Sequence, residues 1–168
     1  FARCMGAEAA LVRPQFMSGT HTLTVALFGL LRTGDTLLAA TGRPYDTLEG
    51  VIGIGDAGKG CGTLREFGVN YDECPLLPDF TPDYDLIAEK ARTATVVHIQ
   101  RSRGYTQRNA FDLATIQKVA DTARKANPNA VIFVDNCYGE FTQTAEPVAF
   151  GADIMAGSFI KNPGGGIT

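Results

Sequence analysis

Lys161 stands in Gly157-Ser158-Phe159-Ile160-Lys161-Asn162-Pro163-Gly164-Gly165-Gly166, a loop of small and turn-forming residues after the apolar run Ala152-Asp153-Ile154-Met155-Ala156. A second apolar run, Ala130-Val131-Ile132-Phe133-Val134, ends in Asp135-Asn136-Cys137-Tyr138-Gly139-Glu140. An acid at one strand end and a lysine at a nearby one suit pyridoxal 5'-phosphate (PLP). A lysine amine forms a Schiff base with the aldehyde of that cofactor, and a carboxylate keeps its pyridine nitrogen protonated. Each residue also has an ordinary reading, a solvated loop lysine and a turn-forming aspartate, and isolated motifs do not separate the two.

Ser18-Gly19-Thr20-His21 adds a third part. A small-residue turn opening a helix presents free backbone N–H groups and the positive end of the helix dipole, which together attract an anion. Beside Asp135 and Lys161 the natural anion is the cofactor phosphate, and the Ser158 hydroxyl lies close enough in sequence to Lys161 to reach it. Tyr45 and His21 are candidates for stacking on the pyridine ring. The basic stretch Gln100-Arg101-Ser102-Arg103-Gly104-Tyr105 reads either as an exposed charged loop or as a contact for phosphate, substrate carboxylate or a neighbouring subunit. Cys137 has no partnered histidine in view and reads as a small neighbour of the cofactor.

The stretch Gly53-Ile54-Gly55-Asp56-Ala57-Gly58 is a literal GxGxxG, with Asp72 near the spacing of a ribose-binding acid. A dinucleotide fingerprint needs a firm strand before the glycines and a helix directly after them. Here Val51-Ile52 is too short for that strand, and Lys59-Gly60-Cys61-Gly62 continues the glycines. The same stretch reads GxxxxGK through Gly58-Lys59, but Gly60 stands where a P-loop needs Ser or Thr. A non-catalytic nucleotide-binding module using Gly53 to Lys59 is therefore the competing class, against a glycine-rich loop that serves as a lid or subunit contact.

The elements that must position these residues alternate. Ala10 to Phe16 reads as a short strand or extended segment, followed by a helix from Thr22 to Leu31 capped by Ser18. Thr36 to Thr41 has the apolar run of a buried strand, and a short helix is expected near Leu48. Gly68 to Tyr71 begins another strand, Pro82 to Asp85 opens a helix reaching Arg92, and Thr95 to Ile99 is a further strand. Asp112 caps a helix to Ala126 with Leu113, Ile116, Ala120 and Ala123 on one face, and the Val131 strand follows. This order predicts an α/β fold with an open, mostly parallel, doubly wound sheet and helices on both faces. Ligands in such sheets bind beyond the carboxyl ends of the strands, where Asp135 and Lys161 both fall.

The 168 residues suffice for one domain, and an apolar share of 45% with a net charge of −3 places the chain among globular proteins. That charge gives no electrostatic reason to expect nucleic acid or an anionic membrane as partner. The four cysteines form no CxxC pair and lie far from the two histidines, which argues against zinc and for reduced thiols in the cytoplasm. Phe1 is not an initiator methionine, Phe1 to Glu8 reads like the tail of a helix already under way, and the chain stops at Ile167-Thr168 just after the triple glycine, so the sequence reads as an excised piece of a longer enzyme.

Taken together, three stretches resemble one family: Ala7 to His21, with its phosphate-binding turn, Val134 to Glu140, and Gly157 to Gly166. The chain is similar to the methionine gamma-lyase-like group known as aluminium-resistance proteins, a branch of the Cys/Met-metabolism PLP enzymes of fold type I. The resemblance implies that residues 1–168 form the core of the PLP-binding large domain, without its N-terminal segment and small C-terminal domain. It implies Lys161 as the Schiff-base lysine and later the proton shuttle, Asp135 as partner of the pyridine nitrogen, and Gly19, Thr20 and Ser158 as the phosphate site. Tyr45 would stack on the ring, although Arg43-Pro44-Tyr45-Asp46-Thr47 departs from the pattern of the better-known enzymes. It further implies beta- or gamma-elimination at a sulfur-containing amino acid such as cystathionine or methionine, in a homodimer or homotetramer. Transamination and beta- or gamma-replacement use the same residues and are the nearer alternatives.

Overall fold

The computed structural model describes residues 1–164; Gly165 and Gly166 of the lysine loop, and Ile167-Thr168, lie outside them. Five parallel strands form one sheet in the order β2-β1-β3-β4-β5. They are β1 (Thr36–Ala39), β2 (Asn70–Glu73), β3 (Val96–Gln100), β4 (Val131–Asp135) and β5 (Ile154–Ala156). The helices are α1 (Ala2–Met5), α2 (Gly19–Leu30), α3 (Asp46–Ile52), α4 (Tyr84–Lys90) and α5 (Leu113–Ala126). Short 3-10 turns lie at Ala91–Thr93 and Pro147–Phe150. None of the helices is long and apolar enough to cross a membrane, among the described residues.

Side chains alternate across the sheet because the strand repeat is two residues. Leu38, Val97, Ile99, Ile132 and Val134 pack against α4 and α5 through Ile87, Leu113, Ile116, Val119, Ala120 and Ala123. Leu37, Val96 and Phe133 point the other way, onto Leu23 and Leu27 of α2 and Leu48 and Ile52 of α3. Helices therefore cover both faces, as near-continuous apolar strands require. The same parity carries Asp135, two residues beyond Phe133, to the α2 face.

Asp83 and Asp112 begin α4 and α5 by accepting the Leu86 and Thr115 amides at 3.0 and 2.8 Å. The fourth helix ends at Lys90 and tightens into a 3-10 turn over Ala91–Thr93, so the helical run to Arg92 is not one α-helix. Ala10 to Phe16 forms no strand: Leu11 is 64% exposed, and the segment finds no sheet edge to pair with. Its apolar residues resembled a strand, but pairing rather than composition makes one.

The glycine-rich segment follows α3 rather than a strand, with Gly53 as the helix cap in a left-handed conformation. Turns, not a helix, follow it. Glu66 accepts the amides of Gly60, Gly62 and Thr63 at 2.6, 2.8 and 2.9 Å. Those hydrogen bonds hold its carboxyl below the usual glutamate range. Within Gly53 to Lys59 the Gly53, Ile54, Ala57 and Lys59 amides bond chain carbonyls, and the strand before and helix after that a dinucleotide fingerprint needs are not formed among the described residues.

Candidate active site

The strand register brings the parts of the site together. Asp135 pairs with Gln100 of β3 on one side and with Ala156 of β5 on the other, so three strands end level. The chain leaves β5 into a tight turn in which the Lys161 and Asn162 amides bond the Ser158 carbonyl at 2.9 and 3.2 Å. That turn places Lys161 beside the strand end carrying Asp135. Asp135, Cys137, Tyr138, Lys161, Thr20 and Tyr45 all line one cavity of about 720 Å³.

The anion cradle forms at the start of α2. Ser18 is extended and its hydroxyl accepts the His21 amide at 3.1 Å, while the Thr22 amide bonds the Ser18 carbonyl at 3.1 Å. The Gly19 and Thr20 amides have no acceptor among the described residues. Gly19 lies against the lysine: a Cβ there would stand 3.0 Å from Cys137 Sγ, 3.4 Å from Ser158 Cβ and 3.9 Å from Lys161 Nζ. Thr20 Oγ1 shares hydrogen bonds with the Tyr45 hydroxyl at 2.9 Å and Thr47 Oγ1 at 3.3 Å. Tyr45 is held from behind as well, its amide donating to Gln100 Oε1 at 2.9 Å.

Asp135 is 1% exposed, and Oδ1 accepts the Cys137 amide at 3.0 Å. Burial raises its pKa, opposed by the bonds from Cys137 and by the charge of Lys161. A buried carboxylate in this position is stabilised by any cation or N⁺–H that enters the cavity. Lys161 is half-buried, with Nζ 4.5 Å from the Tyr138 ring centre. Burial favours loss of its proton, but the surroundings (Cys137, Tyr138, Asp135 and Tyr45) outweigh this and hold the ammonium above its ordinary range. The Cys137 thiol is buried and pushed far up by burial and by Asp135, so it is not a nucleophile at neutral pH.

Two of the basic residues part company. Arg101 is buried, not part of an exposed loop. Its guanidinium donates to Asn136 Oδ1 at 2.8 Å, the Gly139 carbonyl at 2.9 Å and Gln143 Oε1 at 2.7 Å, with Glu146 at 3.8 Å. It fixes the turn after Asp135 and also lines the cavity. Arg103 is exposed on the wall of the cavity. Behind them Arg108, which sequence reasoning passed over, is buried over the Phe111 ring at 4.1 Å and donates to the Gln100 carbonyl at 2.9 Å.

His21 is not brought to the cavity wall. Its ring is exposed, with Nδ1 accepting the Met17 amide at 3.2 Å and an edge contact to Phe16. Its place on the first turn of α2 points it back along the incoming segment, so of the two stacking candidates only Tyr45 lines the cavity. Tyr138 also lines the cavity, and sequence reasoning did not name it. Its positive φ of 68° is what swings the ring toward Lys161, and no local pattern announces such a backbone for tyrosine.

A family model described as methionine gamma-lyase matches residues 1–168. The chain belongs to that family. It is 48% identical over 168 residues to the uncharacterized protein YnbB of Bacillus subtilis, covering 99% of this chain and 40% of the relative. Among solved structures, a Clostridium novyi protein named a carbon-sulfur lyase involved in aluminum resistance is 47% identical, with a TM-score of 0.92. A Listeria monocytogenes protein named a "putative cystathionine beta-lyase involved in aluminum resistance" is 48% identical, also at 0.92. Each match covers 99% of this chain and 40% or 42% of the other, so the chain spans about two-fifths of these relatives. A PLP-dependent aminotransferase from Streptococcus suis, at 16% identity and a TM-score of 0.62, shares the fold of the PLP enzymes of type I.

Proposed function

We propose that this chain forms the PLP-holding part of a carbon–sulfur lyase acting on a sulfur-containing amino acid of the cystathionine or methionine type. The observation that carries the reading is the convergence of Asp135, Lys161 and Thr20 on one cavity, with Gly19 packed beside Lys161 and the Gly19 and Thr20 amides open among the described residues. The names of the relatives supply the reaction class, and the geometry supports the cofactor.

The donor set fits the group. The Gly19 and Thr20 amides, with the Thr20 and Ser158 hydroxyls, would hold the phosphate. Asp135 would keep a proton on the ring nitrogen, a role that suits a carboxylate short of cations. Tyr45 would flank the ring while its hydroxyl steadies Thr20. When bound, PLP supplies an electron sink for charge that develops at the amino-acid alpha carbon. Lys161 Nζ would anchor the cofactor aldehyde and, once freed, move the alpha proton. Elimination then releases the sulfur group from the beta or gamma carbon as a thiol and, with water, yields ammonia and an oxo acid. A homodimer or homotetramer is the assembly in which we expect the complete site.

Loading the protein with PLP, desalting, reducing with borohydride and mapping peptides tests the cofactor. A pyridoxyl adduct on Lys161, absent from Lys161→Ala, is expected; a folded protein with no adduct overturns the proposal. Incubation of the loaded enzyme with cystathionine, cysteine and methionine should release ammonia and an oxo acid. Transfer of the amino group without ammonia release would instead assign transamination.

A further inference from the structure

Glu140 is a buried carboxylate beside the lysine turn that the proposed chemistry leaves unused. It is 2% exposed, Oε1 accepts the Ser158 amide, and Oε2 is buried with no partner among the described residues. Among the described residues no salt bridge reaches it, and burial raises its pKa, opposed by the Ser158 amide and by the charge of Lys161. A carboxyl group withdrawn from water without a direct ion pair is unfavourable unless its fixed position contributes something else.

What it fixes is the lysine turn. The Ser158 carbonyl is the shared acceptor for the Lys161 and Asn162 amides, so locating the Ser158 peptide locates Lys161. The far side of the turn is tied to the same strand exit, with Asn162 Nδ2 donating to the Tyr138 and Glu140 carbonyls at 2.9 and 3.3 Å. Gly157 is shaped to the carboxyl: a Cβ there would come 2.5 Å from Glu140 Oε1. We infer that Glu140 is a positioning residue, a strut that sets the Ser158–Lys161 turn and thereby the distance of Lys161 Nζ from the strand end bearing Asp135. It acts through hydrogen-bond geometry. The Lys161 charge also favours the ionised carboxyl, but no ion pair joins the two among the described residues, so the direct tie to the turn is the hydrogen bond from the Ser158 amide. The inference rests on Lys161 being the cofactor-anchoring lysine, but its first test does not.

Amide hydrogen exchange at Ser158, measured on the protein without PLP, reads the strut directly. Relative to wild type, Glu140→Ala should exchange at least about tenfold faster at Ser158, as expected for the loss of a hydrogen bond to a charged group. Glu140→Gln retains an acceptor and should stay within about threefold. Gly157→Ala keeps the carboxylate but displaces it, and should also accelerate Ser158. If Glu140→Ala does not fold, the comparison of Gly157→Ala with Glu140→Gln decides. The second readout is borohydride trapping of PLP, in which Glu140→Ala and Gly157→Ala should capture more slowly than Glu140→Gln. Unchanged Ser158 exchange in the folded alanine variants overturns the strut. Fast exchange with capture equal to wild type overturns its bearing on Lys161. A wild type that never captures PLP, with Ser158 behaving as predicted, sinks the cofactor reading and leaves the strut standing as a structural tie only.

Discussion

Replacing Gly19 by alanine sets two opposing effects against each other. Gly19 is the first residue of α2 and its φ is not in the left-handed region, so alanine adopts the backbone without strain. Alanine over glycine gains up to about 1 kcal/mol in a helix interior, and less at the first position. Against this, the new methyl would stand 3.0 Å from Cys137 Sγ and 3.4 Å from Ser158 Cβ. Cys137 has little freedom to retreat, because its amide is tied to the buried Asp135 at 3.0 Å. Overpacking of this kind costs about 1–3 kcal/mol, so a net destabilisation of about 1–2 kcal/mol is expected. In a domain this size that lowers the melting temperature by about 2–8 °C. Cys137→Ala removes the atom that meets the methyl. The double variant should therefore be more stable than the sum of the singles by about 1 kcal/mol, well outside the additivity of separate sites. Equilibrium urea unfolding of the four proteins supplies the cycle. Additivity within about 0.5 kcal/mol would refute the close approach of Gly19 to Cys137 and the cradle built on it.

Tyr45→Phe separates the ring from its hydroxyl. If the ring flanks the cofactor, the variant should keep most PLP capture, with a loss of about 1 kcal/mol for the bond to Thr20, while Tyr45→Ala should lose capture; equal losses would locate the role in the hydroxyl. Arg101→Met should destabilise the protein by about 3–5 kcal/mol in chemical denaturation, since it strands Glu146, Asn136 Oδ1 and the Gly139 carbonyl; a loss below about 1 kcal/mol contradicts the network. His98 is 1% exposed with Nε2 unpartnered, and burial lowers its pKa from 6.5 to about 4. The unfolded chain binds that proton first, so the stability is present above pH 6.5 and is lost as pH falls toward 4, by about 3 kcal/mol at most. Stability against pH should thus have a flatter acid limb in His98→Leu; an unchanged limb rejects the assignment.

Much of the architecture was legible because it is written locally. Ser18, Asp83 and Asp112 cap the helices they precede, and apolar runs at Thr36, Thr95 and Val131 become strands buried on both faces. Lys161, Asp135, Gly19 and Thr20 could be named as candidates because a strand-end acid, a strand-end lysine and a helix-opening glycine turn are each local signals. Tyr45 was readable only as a candidate, and its bond to Thr20 spans 25 residues of sequence.

The tertiary structure decided what depends on which strand ends lie side by side. Asp135 and Lys161 meet because β4 pairs with β5, and Gln100 reaches Tyr45 because β3 lies beside β1. Arg101 stayed open between surface charge and a contact because composition carries no information on the carbonyls and amides that surround it. Glu140 and Tyr138 looked like the tail of a motif, since a buried carboxyl and a left-handed tyrosine arise only when the lysine turn folds back over the strand exit. Short-range periodicity and capping fix the elements in sequence, whereas a site assembled across strand ends is fixed by sheet order, which no single stretch of residues contains.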